Sequence, residues 1–317
     1  MAVESTRVSL MGTVIEVQVE ADAPRRLLED AVRLLHVYEH RFSANDPDSE
    51  LGELNRAAGH DPVRVHPQLF ELIALGTEHS LAPGSMLNIA IGPVVQLWRI
   101  GFSDANVPSQ ERIAAALELT DPRLIELDDA TREVRLAREG MRIDLGALAK
   151  GHIADLLIAH LRTEGATSAF INLGGNVLTF GRSPRQEDGR WRIGLRHPRH
   201  PDDQMVGALA VDGGSVVTSG IYRRQLQQGG RTFHHLMDPG TGHPVQTDVA
   251  SLTIASSRSV DGEIWTGRLF GRPVQQILQA TQAMPGLSAV VITDDLRLYA
   301  SPELRDTLTL SSQTRAP

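Results

Sequence analysis

The densest group of chemistry-bearing residues is IDLGALAKGHIAD, residues 143 to 155. A helix starting near Gly146 would put Asp144 at its mouth and Lys150 one turn inside on the same side. Backbone N–H groups, helix dipole and ammonium would then converge, an arrangement that favours a phosphate or pyrophosphate. The plainer reading is an Asp N-cap followed by a surface lysine. Of 31 basic residues, Lys150 is the only lysine and the other 30 are arginine. Where arginine serves everywhere else, a lone lysine points to a place needing a compact ammonium on a slim stem.

Three further stretches could share that chemistry. INLGGNV, residues 171 to 177, sets paired glycines between strands and allows close backbone approach, although such pairs are often only turns. HHLMDPGTGHPV, residues 234 to 245, spaces His235, Asp238 and Thr241 by three around Pro239, Gly240 and Gly242, which is loop chemistry rather than helix. Its histidines, His234, His235 and His243, match no usual zinc spacing, and HPRHPDD at 197 to 203 reads as a solvated loop. SVDGEIWTGRLFG, residues 259 to 271, opens a helix on which Asp261 could cap the first turn or, beside a pyrophosphate, hold magnesium.

The elements that must position these residues follow from periodicity. Val14, Ile15, Val17 and Val19 approximate a half-buried strand after Met11, Gly12 and Thr13. Leu27, Leu28, Ala31, Leu34, Leu35, Tyr38 and Phe42 form one helical face over 24 to 42. Residues 43 to 55 are a turn running into a short helix, and helices are expected over 66 to 81, 109 to 119 and from Gly146 to about Gly165. A hairpin turned at Asp128 to Thr131 spans 123 to 143. Strands fit 168 to 180 around the glycine bend, then 190 to 198, 205 to 212, 215 to 219, 231 to 237 and 249 to 256. A helix over 260 to 283 and a strand pair over 288 to 300 complete the chain. Strands in blocks with helices between predict an α+β fold with mostly antiparallel pairing. With no firm linker or repeat, residues 1 to 317 are expected to form a single domain, with a two-lobed core as a variant and 305 to 317 as a tail.

Composition narrows the chemistry. The chain of 317 residues is long enough to fold without staples, and the absence of cysteine removes thiolate metal sites, disulfides and cysteine nucleophiles. A formal charge of −8 without a basic stripe makes nucleic acid an unexpected partner. No export signal or membrane span is evident, so the chain as written is expected in the cytoplasm, or in the periplasm if a leader was trimmed.

The ordered set MGT (11 to 13), DPDSELGELN (46 to 55), IGPVVQLW (91 to 98), DLGALAKGHIAD (144 to 155), INLGGNV (171 to 177), TSGIY (218 to 222), HLMDPGTGHPV (235 to 245) and SVD (259 to 261) resembles the FAD:protein FMN transferases, the ApbE family. The resemblance spans nearly the whole chain. It implies a T-fold-like α+β architecture that binds FAD and magnesium and moves FMN onto a Ser or Thr hydroxyl of a target protein, releasing AMP. FAD contacts are implied at Met11, Asn45, Met86, Leu87, Asn88, Asp144, Lys150 and Leu236. Magnesium is implied at the Ala147 carbonyl and at Asp261, with Thr266 as a third ligand. His235 or Asp238 would take the hydroxyl proton while Lys150 and the metal neutralise the pyrophosphate. Three positions depart from the family pattern. Asn88 and Ile221 stand where it usually has Asp, and Trp265 stands four residues after Asp261, where it has Thr. Either a local bulge lets Thr266 reach the metal or that ligand is lost. The departures keep two alternatives open, an FAD-binding module without transfer and an FAD pyrophosphate hydrolase giving FMN and AMP.

Overall fold

The computed structural model describes residues 1–311, without the side chains of Pro201 and Asp203. The chain opens with a hairpin, β1 (Ala2–Leu10) and β2 (Thr13–Ala21), then runs through α1 (Pro24–Phe42), α2 (Glu50–Arg56), β3 (Val63–Arg64), α3 (Pro67–Leu81), α4 (Gly92–Trp98) and α5 (Gln110–Leu117). A small hairpin, β4 (Ile125–Asp128) and β5 (Glu133–Leu136), leads to α6 (Ala149–Thr163), β6 (Ser168–Leu173) and β7 (Asn176–Phe180). Next come β8 (Trp191–His197), β9 (His200–Val211), β10 (Gly214–Gly220), β11 (Gln225–Gln228), β12 (Arg231–His234) and β13 (Val249–Ser256). Helices α7 (Ser259–Leu269) and α8 (Val274–Gln282) precede β14 (Ser288–Thr293), β15 (Leu298–Ala300) and β16 (Leu308–Leu310).

Eight strands pair in the order β1-β2-β6-β7-β10-β13-β14-β15, every neighbour antiparallel, so the fold is α+β as expected. One face is covered by helices: Ile15, Val17 and Val19 of β2 and Ile171 of β6 share a core with Leu27 and Leu35 of α1, Leu157 of α6 and Ile264 of α7. The opposite face packs Val177, Val216 and Ile292 against Trp191, Ile193 and Leu209 of a second sheet, ordered β16-β9-β8. The period-2 pattern of β2 is in place, but its buried apolar residues are the odd-numbered Ile15, Val17, Val19 and Ala21, which leaves Val14 58% exposed on the other side of the pleat.

Four expectations change. β1 was not anticipated because it is largely exposed, and its place comes from pairing residue by residue with β2. The helix expected over 260 to 283 is broken after Leu269, where Gly271 has a φ of 91° and Pro273 has no N–H to continue the ladder. The expected tail is not all tail: Leu308–Leu310 pairs with Leu209 to Gly207 of β9, while residues 312–317 lie outside the described set. Finally, α6 begins at Ala149 instead of Gly146, after a turn closed by Leu148 N and Ala149 N on the Leu145 carbonyl. Among the described residues no helix is long and apolar enough to cross a membrane.

Candidate functional site

The motifs meet at one end of the large sheet because antiparallel pairing brings their turns together. Ile15 of β2 lies opposite Leu173 of β6, and Val217 of β10 opposite Asn176 of β7. The Met11–Gly12 turn, the Gly174–Gly175 turn and the end of β10 therefore share an edge, with Thr218 N donating to the Gly175 carbonyl at 3.3 Å. Gly174 has a φ of 68°, and a Cβ there would collide with the Thr13 side chain. The Arg224 guanidinium runs beside this edge, its Nη2 lying 3.3 Å from where a Cβ on Gly12 would be.

Above the edge, α6 and α7 approach at Gly151, where a Cβ would come within 2.6 Å of the Ser259 carbonyl and 2.7 Å of Glu263 Cγ. Asp155 of α6 caps α7, accepting from Ser259 N at 2.8 Å and Val260 N at 2.9 Å, and its burial pushes its pKa up. Lys150 Nζ donates to the Gly146 carbonyl at 3.1 Å and lies 3.7 Å from Glu263 Oε1. The same Oε1 accepts from Asn176 Nδ2 at 2.9 Å, and Asn176 Oδ1 accepts from Ser259 Oγ at 2.6 Å. Glu263 is only 6% exposed, so this carboxylate is buried among its partners. Asp144 accepts from Gly146 N at 2.7 Å, which closes a turn ahead of α6 and does not cap that helix, whose N-cap is Leu148, and Lys150 is not a free surface lysine.

Two adjacent histidines are used differently. His234 accepts from Leu236 N at Nδ1, 3.3 Å, which leaves Nε2 as the donor to the Val245 carbonyl at 2.9 Å. His235 Nδ1 is buried without a hydrogen-bond partner. Burial first, then the Arg224 guanidinium, His234 and Lys150, push its pKa down to about 3, so the ring is neutral near pH 7. Asp238 is a turn-former: its Oδ1 accepts from Gly240 N at 2.8 Å and its carbonyl from Gly242 N at 2.8 Å. Trp98 Nε1 anchors that turn by donating to the Gly242 carbonyl at 2.8 Å.

The residues implied as FAD contacts surround this edge at different ranges. Met11 holds a φ of 54° and donates its N–H to Glu39 Oε1 at 2.6 Å, and Asn45 accepts from Gln96 Nε2 at 3.1 Å. Met86 N donates to the Arg268 carbonyl, while Leu87 packs over Gly267 of α7, whose Cβ would lie 3.2 Å from Leu87 Cδ1. Leu236 and Ile221 both pack onto the apolar cluster of β13, α7 and α8, which accounts for an aliphatic residue at 221. Asn88 Nδ2 donates to the Thr120 carbonyl and Oδ1 accepts from Ala90 N, each at 2.8 Å.

The two side chains implied as magnesium ligands lie on different sides of α7. Successive helical residues turn by about 100°, so Asp261 and Glu263 point about 200° apart. Glu263 faces Lys150; Asp261 lies where its charge acts on His79 and Asp155. Trp265 and Arg268 lie within about 40° of Asp261 around that helix, Arg268 sitting over the Trp265 ring at 4.5 Å and bonded to His79 Nδ1 at 3.3 Å. Thr266 is buried and its hydroxyl donates to the Glu263 carbonyl at 3.0 Å. Asp261 and Thr266, five residues apart on one helix, are turned about 140° from each other, so they do not face one point as an Asp and a Thr four residues apart would. A cavity of about 910 Å³ elsewhere, lined by Asp248, Val274, Asp294, Arg297 and Tyr299 among others, holds none of the expected residues. Glu263, Asn176 and Arg224 were missed by sequence reading, although Glu263 stands within the quoted SVDGEIW stretch.

Fold and site together define an α+β protein with a lysine, a buried carboxylate and a neutral histidine at the glycine-turn edge of an antiparallel sheet. The chain belongs to the ApbE family, whose model matches residues 11–291. It is 40% identical over 273 residues to a protein of Klebsiella pneumoniae named FAD:protein FMN transferase, covering 86% of this chain and 84% of that one. A Treponema pallidum protein of the same name is 34% identical over 312 residues, covering 94% and 86%. Crystal structures of the ApbE protein of Thermotoga maritima (TM-score 0.86, 23% identity, 96% of this chain and 99% of that one) and of Pseudomonas stutzeri flavinyl transferase ApbE in its apo form (0.82, 24%, 96% of each) share the fold.

Proposed function

We propose that this protein transfers FMN from FAD to a Ser or Thr hydroxyl of an acceptor protein, releasing AMP. The observation that carries the reading is the convergence of the sole lysine and a neutral, buried histidine at the glycine-turn edge. Relatives named FAD:protein FMN transferase, matching most of the chain, support it.

In this reaction the acceptor oxygen attacks the FMN-side phosphorus in line, the bond from that phosphorus to the bridging oxygen breaks, and AMP leaves with that oxygen. His235 is the residue placed to take the hydroxyl proton: its ring is uncharged at neutral pH and so open to a proton, with burial holding its proton affinity below that of a free imidazole. The Lys150 ammonium offsets charge growing on the leaving AMP. Asp238 is a weaker candidate for the base because its carboxylate holds the turn. No step is assigned to magnesium, since Asp261 and Thr266 point to different sides of α7.

The test is incubation with FAD, magnesium and a peptide carrying an acceptor Thr. Covalent FMN-peptide with stoichiometric AMP is the expected result. Free FMN plus AMP without adduct would make the protein an FAD pyrophosphate hydrolase, and unchanged bound FAD would make it a flavin-binding module.

A further inference from the structure

We propose that Arg224 is the residue that grips the phosphate on the FMN side of FAD, beside the attacking hydroxyl, while Lys150 serves the AMP side. This deepens the flavin-transfer reading and rests on it. The β11–β12 hairpin sets the geometry. Gln225 pairs with His234 and Leu226 with Phe233, so Arg224 and His235 flank the first pair of the hairpin, at its base. Side chains two apart on a strand share a face. Leu226 and Phe233 pack with Trp98, which turns Arg224 and His235 toward the α4 side as well. The His235 ring bonds the Arg224 backbone, and Nδ1 is the nitrogen left without a partner.

Two glycines leave the trough in which the Arg224 side chain lies. A Cβ on Gly101, which follows α4 at a φ of 97°, would come within 2.9 Å of Arg224 Cδ, and one on Gly12, at a φ of 67°, within 3.3 Å of Nη2. The arm therefore leaves the hairpin base, passes Gly101 and ends at the Met11–Gly12 turn. Its charge is uncommitted there. Arg99, at the end of α4, pairs with Asp104 at 2.6 Å, whereas Arg224 has no carboxylate partner among the described residues and keeps solvent access. Arg223 reaches the edge from the other flank, 3.6 Å from where a Cβ on Gly175 would be, beside Arg196 and Asp202. Of the two, Arg224 is the one whose charge acts on His235, and it does so more strongly than Lys150. A base must lie within hydrogen-bond reach of the hydroxyl it serves, so the cation beside the base is the cation beside the attacked phosphorus. In the displacement the hydroxyl oxygen bonds to that phosphorus, its proton passes to His235, and the bond to the bridging oxygen breaks with its electron pair on AMP. The negative charge of the transferred group lies on its non-bridging oxygens, which a planar guanidinium meets two at a time.

Transfer to the acceptor-Thr peptide, together with equilibrium binding of FMN and of AMP, tests this on the full chain. Arg224→Gln is expected to lower kcat by about a hundredfold or more. It should weaken FMN, which carries the gripped phosphate, by about tenfold and leave AMP affinity unchanged. Lys150→Gln should show the reverse, weakening AMP more than FMN. Added guanidinium ion should restore part of the turnover of Arg224→Ala, whose trough it can enter, and none of that of Lys150→Ala; an arginine that only supports the fold gives no such rescue. Parent-level kcat in Arg224→Gln, loss in Arg223→Gln instead, equal weakening of FMN and AMP, or failure of the rescue overturns the assignment. A parent protein that transfers nothing, while FMN and AMP binding still divide between Arg224 and Lys150, overturns the transfer reading and supports the phosphate assignment.

Discussion

His234 and His235 are neighbours in the chain and opposites in use: the first has both ring nitrogens hydrogen-bonded to backbone, and the second keeps Nδ1 buried and unpartnered beside Arg224 and Lys150. His235→Asn should lower transfer by about two orders of magnitude or more with little change in melting temperature. His234→Ala should instead leave two backbone groups unsatisfied and cost about 1–3 kcal/mol of stability. Parallel kinetics and thermal melts separate the two, and equal kinetic losses would show that His235 has no distinct role.

Acid should destabilise the protein through these rings. The folded His235 pKa is about 3, against roughly 6.5 unfolded, so between those values the unfolded chain binds a proton that the folded one does not. The contribution is complete above about pH 6.5 and is lost as pH falls toward 3; His234 and His152, also pushed down by burial, add in the same direction. Asp155, pushed up by burial, opposes them. Melting temperature should fall from pH 7 to pH 4, with a shallower slope in His235→Gln. An identical slope in that variant would contradict the buried neutral ring.

Lys150→Arg keeps the charge but puts a planar fork where a compact ammonium fits between the Gly146 carbonyl and Glu263. Transfer should fall at least tenfold, about 1.4 kcal/mol of transition-state stabilisation. Parent-level turnover at saturating FAD would show that the lysine is incidental.

Asn88→Asp restores the residue usual in the family yet removes the donor that the Thr120 carbonyl accepts from. The loss should cost about 1–3 kcal/mol, lowering the melting temperature by several degrees without raising transfer. Higher activity in this variant would mean that a carboxylate at position 88 serves chemistry rather than the fold.

Gly174→Ala adds a Cβ against Thr13 at a φ of 68°, and both effects act against the folded state. A loss of about 1–3 kcal/mol is expected, partly recovered in the double variant with Thr13→Ala, because only the collision is relieved. Denaturant titration of the four proteins reads the coupling, and strict additivity would show that the two residues do not meet.

What the amino-acid order determined by itself was local or cumulative. The 3.6-residue face from Leu27 to Phe42 specified α1, alternation from Ile15 to Val19 specified β2, and eight short motifs in order were enough to find the family. These signals are legible because each depends on residues a few positions apart. The site depended on relationships that no spacing along the chain displays. Asn88 is explained by a carbonyl 32 residues away, and Lys150 by a carboxylate on another helix. Whether position 261 or 263 faces Lys150 is a question of helix phase, decided when Gly151 lets α6 close on the Ser259 backbone and Gly262 lets α7 close on Val217. A rotation of about 100° per residue turns a two-residue difference into opposite faces, so packing, not motif spacing, decided which carboxylate faces Lys150.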